Sequence, residues 1–333
     1  MTKKRIDWID VAKGIAIILM VIGHIIPFNN LIVWIFSFHM PLFIILSGVT
    51  YKIPKDKENL KTNFKKYLKK LFLPYAITIF ICTIIRVIKS VDIFSLDIFF
   101  KELIKYFVWG NGCDYTFLGI NFTGVGPIWF LITLFFSKLV FDFINYKVGR
   151  TNLITNIIIY SFCLLLGLEI GEVTWLPQGF DLVLIFLFYL YAGYLFKTQF
   201  DNLKVNKTII FVIAFAIWGI CLGMNMFIEV AMRGYPLGLL SIIESLCASY
   251  CVIALCQVIT KNKFLNSFLT KVGIMSLTIL CIHAIENYLF DWSALNINLY
   301  ALTLIRLSMI LVLAFCFTWI KQKIMILLIK KQV

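Results

Sequence analysis

The first apolar segment of the chain carries three ionisable residues that could act together. In the stretch IDVAKGIAIILMVIGH, Asp10, Lys13 and His24 are embedded among aliphatic residues. Lys13 and His24 are separated by close to a whole number of helical turns, so they share one helix face, about 16 Å apart. An ionisable group inside a membrane is costly and usually serves a task, such as proton transfer or anion binding. The structural alternative is that Lys13 extends toward the headgroups and His24 only bonds a carbonyl.

Two further histidines occupy apolar segments later in the chain. These are His39 and His283. Counted inward from the ends of their segments, all three histidines fall in the same half of the membrane. Three charged residues lie at comparable depth: Glu244, Glu286 and Arg306. The histidines lack a metal-ligand spacing such as HxxxH, so no metal is expected. The set indicates a site for proton transfer or for holding an anion.

A basic run, KKYLKKLFLPY, precedes the third apolar segment. Lys66 lies three and four residues before Lys69 and Lys70, which places these side chains on one helix face. Such a face suits phosphate oxygens. On charge alone, the bias of lysine and arginine toward the cytoplasmic side of a membrane explains the run better.

Membrane helices must position these residues. Of the 333 residues, 61% are hydrophobic and 14% charged, against about 45–50% apolar in soluble domains. A crossing takes about 20 apolar residues, and ten segments fit: 8–27, 31–51, 70–90, 127–146, 153–170, 180–197, 208–228, 238–259, 272–290 and 299–320. We therefore expect an all-α polytopic membrane protein with about ten transmembrane helices, forming a single domain over residues 1–333.

The basic residues set the expected orientation. Of 31 Lys and Arg residues, 23 fall on one side of this topology, in 1–7, 52–70, 145–151, 197–207, 260–271 and 321–333. Such an excess marks the cytoplasmic side, so both termini are predicted to be cytoplasmic. The expected location is a bacterial plasma membrane. Topology and anionic headgroups account for the net charge of +14, so no nucleic-acid partner is expected.

The longest predicted outer segment, 91–126, begins as an amphipathic helix. Apolar residues recur at helical spacing at Ile93, Leu96, Phe100, Leu103, Ile104 and Phe107, which is typical of a helix lying on a membrane surface. A glycine-rich stretch follows and is predicted to be flexible.

Five pieces of the chain combine into one pattern: RIDWIDVAKGIAIILMVIGH, FSFHMPLFIILSG, KKYLKKLFLPY, GPIWFL and VGIMSLTILCIH. Together they resemble the acyltransferase-3 family of membrane proteins, especially its stand-alone, fucose O-acetylase-like branch. The resemblance implies an O-acyltransferase that moves an acyl group, usually acetyl from cytoplasmic acetyl-CoA, to a hydroxyl of a cell-surface glycan or its precursor.

By position, the resemblance makes His24 the catalytic histidine, preceded by the charged pair Asp10 and Lys13. Lys66 and Lys69 fall where many members carry the arginines of an R-x-x-R motif, and with Lys70 they are expected to hold the CoA phosphates. Lysine keeps the charge but lacks the planar guanidinium fork. The second-rank site residues are His39, Ser47, Glu244, His283, Glu286 and Arg306.

A transporter or permease is the main alternative, because charged groups near the membrane midplane also line solute and proton pathways. The line of Asp10, Lys13 and His24 could serve as a proton relay. No inverted repeat is apparent in the sequence, so acyl transfer is preferred.

The charge distribution predicts how single cysteines introduced into a thiol-free variant will react. Cysteines near Lys57 and Lys263 should react with a membrane-impermeant thiol reagent only from the cytoplasmic side, and cysteines near Asn111 and Asn296 only from outside. Reversed labelling would contradict the orientation.

Overall fold

The computed structural model describes residues 6–90, 95–148, 152–199, 206–224 and 226–330. Within them the chain is almost entirely helical. The helices are α1 (Asp7–Ile25), α2 (Asn30–Phe36), α3 (His39–Val49), α4 (Lys57–Tyr67), α5 (Leu73–Ser90), α6 (Leu96–Trp109), α7 (Trp129–Val148), α8 (Leu153–Val173), α9 (Phe180–Gln199), α10 (Lys207–Gly223), α11 (Leu239–Ile259), α12 (Lys263–Ile274), α13 (Ser276–Leu289) and α14 (Leu299–Lys330). A short hairpin pairs β1 (Tyr115–Phe117) with β2 (Ile120–Phe122).

The structure confirms an all-α polytopic membrane protein. Among the described residues, eight helical segments are long and apolar enough to cross a bilayer, and α12 and α13, bent by 62° at their junction, can supply a ninth. The predicted seventh span coincides with α10, which has 17 residues. All ten predicted segments therefore coincide with apolar helices, while the count of ten crossings and the cytoplasmic location of both termini stay predictions.

Several helices begin at a short polar side chain that lies between apolar segments. The side-chain oxygen of the capping residue accepts a hydrogen bond from a backbone N–H of the first turn at Asn29, Asp56, Asn152, Asn206 and Asn262. The first N–H groups of a helix lack partners within the helix, so these caps stabilise the starts of α2, α4, α8, α10 and α12.

Two helix pairs approach so closely that only glycine fits at the contact. A Cβ at Gly273 of α12 would overlap the carbonyl oxygen of Asp10 on α1, and one at Gly14 would overlap the facing backbone of α12. Gly48 of α3 and Gly193 of α9 meet in the same way. Helices in a membrane associate through close packing of small residues, because lipid tails satisfy apolar side chains equally well. These contacts fix α1 and α3 in the bundle.

The predicted amphipathic helix of the outer segment is present as α6; Ile93 lies outside the described residues. Leu96, Phe100 and Ile104 are each more than half exposed, as suits an apolar face turned toward lipid. Another face of the helix packs against the protein through Phe99, Tyr106 and Trp109. The glycine-rich stretch that follows, predicted to be flexible, folds into the β1–β2 hairpin, with Gly119 at φ 78° in its turn.

Arg233 ties together three connections at the end of the bundle that is predicted to face outward. Its guanidinium pairs with Asp181 at the start of α9, with N–O distances of 2.6 and 2.9 Å, and donates to Asn111 at 2.7 Å. It also lies over the ring of Trp175, 4.3 Å from the centroid. A buried charge is tolerated only when paired and hydrogen-bonded, so this network holds the three connections in place. Asn111 itself is fully buried; Leu118 at the hairpin tip, 85% exposed, is the better position for an outside label.

The glycine contact between α1 and α12 can be tested by adding one methyl group. Gly273→Ala should lower the free energy of unfolding by about 1–3 kcal/mol, because the backbones must separate. The control is Gly219→Ala on α10, where nothing lies within 4 Å of an added Cβ. Thermal unfolding of the purified proteins measures the difference, and equal midpoints for the two variants would contradict the contact.

Candidate functional site

A cavity of about 560 Å³ lies between α1, α3, α7, the α12–α13 bend and the junction of α4 and α5. Its volume is within the range of small-molecule sites, about 300–1,000 Å³. Most of the wall is apolar, including Ile17, Met20, Phe43, Phe130 and Leu134. Polar groups concentrate at its two ends, and α1 runs from one end to the other. Lys13 lies toward one end, and His24 lies about 16 Å further along the same helix.

Lysines converge at the end of the cavity near Lys13. The ammonium groups of Lys66 and Lys138 lie 5.8 and 5.2 Å from the ring centre of Tyr67, and Lys70 lines the same wall. Among the described residues, two carboxylates lie nearby: Asp10, 3.8 Å from the Lys13 ammonium, and Asp142, on the same helix as Lys138. The excess of positive charge favours a ligand that carries several negative charges.

The structure separates the three lysines that were predicted to hold phosphates. Lys66 and Lys70 line the cavity, and Lys69 does not. Between α4 and α5 the helical run continues through a π-helical turn at Leu68–Phe72. A π turn is wider than an α turn, so residues four apart lie nearly above one another, whereas residues three apart diverge. With regular α-helical spacing, as assumed from the sequence, Lys69 and Lys70 would both lie on the face of Lys66. The π turn keeps Lys70 on that face and turns Lys69 away from it.

Lys138 lines the cavity but was not among the predicted site residues. It lies on α7, one turn before the buried Asp142, which accepts a hydrogen bond from Asn63 at 2.9 Å. A lysine within a membrane span is a signal for function. The sequence shows this lysine but not which face of α7 carries it.

His24 is the histidine that faces the cavity. Its side chain is exposed and lines the cavity wall, whereas His39 and His283 are buried, at 2% and 0% exposure. The ring of His24 lies 5.6 Å from that of His283, centroid to centroid. A ligand in the cavity can therefore reach His24 directly, with His283 behind it.

Glu286 organises a buried network around His283. His283 Nδ1 lies 3.1 Å from Glu286 Oε1, and the same oxygen accepts from Arg306 at 2.5 Å. The other carboxylate oxygen accepts from the indole N–H of Trp292 at 2.5 Å. The Asn287 amide lies 3.4 Å from His283 Nε2 and accepts from Arg306 at 2.5 Å. With a carboxylate at Nδ1 and an amide at Nε2, these partners hold the His283 ring in one orientation.

The remaining predicted residues separate by the helix faces they occupy. Ser47 lines the cavity. His39 is buried, with Nδ1 3.1 Å from the Ile35 carbonyl oxygen, and its ring packs on Phe36. Glu244 is fully buried on α11 away from the cavity, and neither carboxylate oxygen has a hydrogen-bond partner among the described residues. Within the same part of the chain, no three His, Cys, Asp or Glu side chains are grouped so that they could hold a metal ion.

Comparison with known protein families identifies the chain. A family model described as an acyltransferase domain, that of the acyltransferase-3 family, matches residues 6–322. The chain belongs to this family. The match confirms the family that the five sequence pieces indicated and makes the protein a membrane acyltransferase; the fucose O-acetylase-like branch stays a prediction. No curated protein and no solved structure matches the chain. For this acyltransferase the transporter interpretation has no comparable support.

The exposure of the three histidines predicts their order of chemical modification. Diethylpyrocarbonate acylates accessible neutral imidazoles, so His24 should be modified about tenfold or more faster than His39 and His283, which are shielded by packing. Mass spectrometry of peptides after brief exposure measures the three rates. Comparable rates would contradict the cavity geometry.

Proposed function

We propose that this membrane acyltransferase moves an acetyl group from cytoplasmic acetyl-CoA to a hydroxyl group of a cell-surface glycan or its precursor. One observation carries the proposal: a single cavity presents a cluster of lysines at one end and an accessible imidazole at the other. A CoA thioester has the same two-part character, since its phosphates lie at one end of a long arm and its reactive carbonyl at the other.

The lysine cluster supports a binding role for the donor phosphates. Lys66 and Lys70 would contact the phosphates, with Lys13 and Lys138 deeper in the cavity adding charge. Charge-assisted hydrogen bonds to phosphate are stronger than neutral ones. The apolar wall that includes Ile17, Met20 and Leu134 would hold the arm of CoA in the direction of His24.

His24 would act as the general base of the transfer. Its ring nitrogen removes the proton of the acceptor hydroxyl, whose oxygen forms a bond to the thioester carbonyl carbon. The carbon–sulfur bond then breaks, and the departing thiolate takes the proton from the imidazolium. A covalent route, in which His24 itself carries the acyl group before the acceptor attacks, uses the same position. In either case the acyl group moves and CoA remains on the donor side.

His283 and Glu286 would support His24 as positioning residues. Glu286 orients His283 through the Nδ1 contact at 3.1 Å, and His283 lies beside the His24 ring. When His24 gains a proton, the carboxylate behind His283 stabilises the new positive charge. Arg306 is engaged by Glu286 and Asn287, so its role would be to hold the carboxylate; contact with the substrate is not required.

The donor site can be tested by removing two positive charges from either of two lysine pairs in the same basic run. Lys66→Gln with Lys70→Gln should raise the dissociation constant for acetyl-CoA about tenfold or more, because two charge-assisted contacts are lost. Lys65→Gln with Lys69→Gln is the control, since both residues are exposed in the same run and neither lines the cavity. Calorimetric titration measures the dissociation constant of each double variant for acetyl-CoA. Equal weakening in the two doubles, or equal weakening for a pantetheine thioester without nucleotide phosphates, would argue against the assignment.

The chemical role of His24 predicts separate effects on binding and turnover. His24→Ala and His24→Asn should each lower the rate of acetyl transfer at least about 100-fold, because neither side chain can act as the base. The dissociation constant for acetyl-CoA should stay within about twofold of the wild-type value, since the lysine end is unchanged. Near-normal transfer by His24→Asn would show that the residue is structural.

Proteoliposomes distinguish acyl transfer from transport. Vesicles loaded with radiolabelled acetyl-CoA and supplied outside with glycan acceptors should yield acetylated glycan outside, while CoA is retained inside. Loss of CoA or of the acceptor across the membrane without acetylation would instead support a permease.

A further inference from the structure

A second cavity lies at the lysine-rich ends of the helices. Its volume is about 820 Å³, and its walls come from the starts of α1 and α10 and the ends of α3, α9 and α11. None of its lining residues lines the first cavity. The predicted topology places this end of the bundle at the cytoplasmic surface of the membrane.

Positive charge surrounds this second cavity. Lys197, Lys207 and Lys261 are among its lining residues, and no Asp or Glu of the described chain is. Lys197 and Lys207 lie on different helices, α9 and α10, and Lys261 follows the end of α11. The three lysines therefore come to the wall of one cavity from separate elements, and the Lys197 ammonium also donates to the Tyr51 carbonyl at 3.4 Å.

The rest of the lining is aromatic and aliphatic. Trp8 packs edge-on against Phe196 with the ring centroids 6.3 Å apart, and the Tyr250 hydroxyl donates to the Lys207 carbonyl at 3.4 Å. Tryptophan and tyrosine favour the level of lipid headgroups. On α11, two aliphatic side chains of the lining are more than half exposed, Leu255 and Val258. An apolar chain leaving the cavity would continue over them into hydrocarbon.

We propose that this second cavity binds an anionic phospholipid. The headgroup phosphate would lie among the three lysines, and the acyl chains would cover the apolar wall of α11. Basic pockets between helices on the cytoplasmic side suit such headgroups. Orientation rules explain lysines on this side, but they do not require three of them around one aromatic-lined cavity. A soluble anion has no use for the apolar wall, which is why the assignment is to a lipid.

The lipid site and the acyl-transfer site share their supporting helices. On α1, Trp8 lines the second cavity and Asp10 lines the first. On α3, Val49 lines the second cavity and Ser47 lines the first. A bound lipid would therefore contact the two helices whose glycine contacts position the first cavity. The lipid proposal itself does not depend on the acetyl donor or the acceptor.

Native mass spectrometry of the purified protein, titrated with phosphatidylglycerol or phosphatidylcholine of equal chain length, tests the site. The wild-type chain should reach half-saturation at an at least tenfold lower concentration of phosphatidylglycerol than of phosphatidylcholine, because the choline cation of phosphatidylcholine cancels its phosphate charge and is repelled by the lysines. The combined change Lys197→Gln, Lys207→Gln and Lys261→Gln should abolish that preference. The matched control, Lys57→Gln, Lys61→Gln and Lys263→Gln, removes exposed charges from the same predicted side outside both cavities and should retain it.

A second variant distinguishes binding in the cavity from misfolding and from a general effect of charge. Ala254→Trp keeps every charge and fills the apolar part of the cavity, so it should also weaken phosphatidylglycerol binding about tenfold, with a thermal midpoint close to that of the wild type. Equal binding of the two lipids, equal losses in both triple variants, undiminished binding by Ala254→Trp, or full displacement of the lipid by inorganic phosphate would each overturn the proposal.

Discussion

The backbone contact between α1 and α12 determines where the polar face of α1 points. Gly273 meets the carbonyl of Asp10, and Gly14 meets the facing helix. In lipid, two apolar helices gain nothing from burying side chains against each other, so close backbone approach and dispersion must hold them together. Once α1 is fixed on α12, the adjoining face of α1 borders the cavity, and Lys13 and His24 are presented to it.

The charged groups near the two ends of the cavity differ in how far neighbouring charges compensate them. The carboxylate of Glu286 receives hydrogen bonds from Arg306 and Trp292 and faces an imidazole, so its charge is fully compensated by neighbours. Four lysines line the other end of the cavity, and the described residues beside them include two carboxylates, Asp10 and Asp142. Mutual repulsion among ammonium groups that share one cavity costs free energy, and a polyanionic ligand removes that cost. The protein is compact where it positions an imidazole and open where it would receive phosphates.

The end of the bundle predicted to face outward is organised by a third kind of interaction. Arg233 joins Asp181 and Asn111 by short hydrogen bonds and stacks on Trp175. On α5, Arg86 donates to the hydroxyls of Tyr106 and Tyr288, which ties the surface helix α6 to the end of α13. The buried Arg233 and the partly buried Arg86 thus connect segments that regular secondary structure does not join, at the end of the bundle that carries His24 and His283.

The sequence alone determined the class of the protein, because the length and apolarity of its segments are set by bilayer thickness. It also determined the family and the pairing of Lys13 with His24, since both lie on one uninterrupted helix whose period is fixed. The sequence did not determine which residues on different helices contact one another. Depth along the membrane placed His39, Glu244 and His283 at one level, but helix rotation and crossing decide which side chains meet, and these depend on glycine contacts and packing between distant segments. Only the tertiary structure therefore put His283 beside His24 and Lys138 among the lysines, and turned Lys69 and Glu244 away from the cavity.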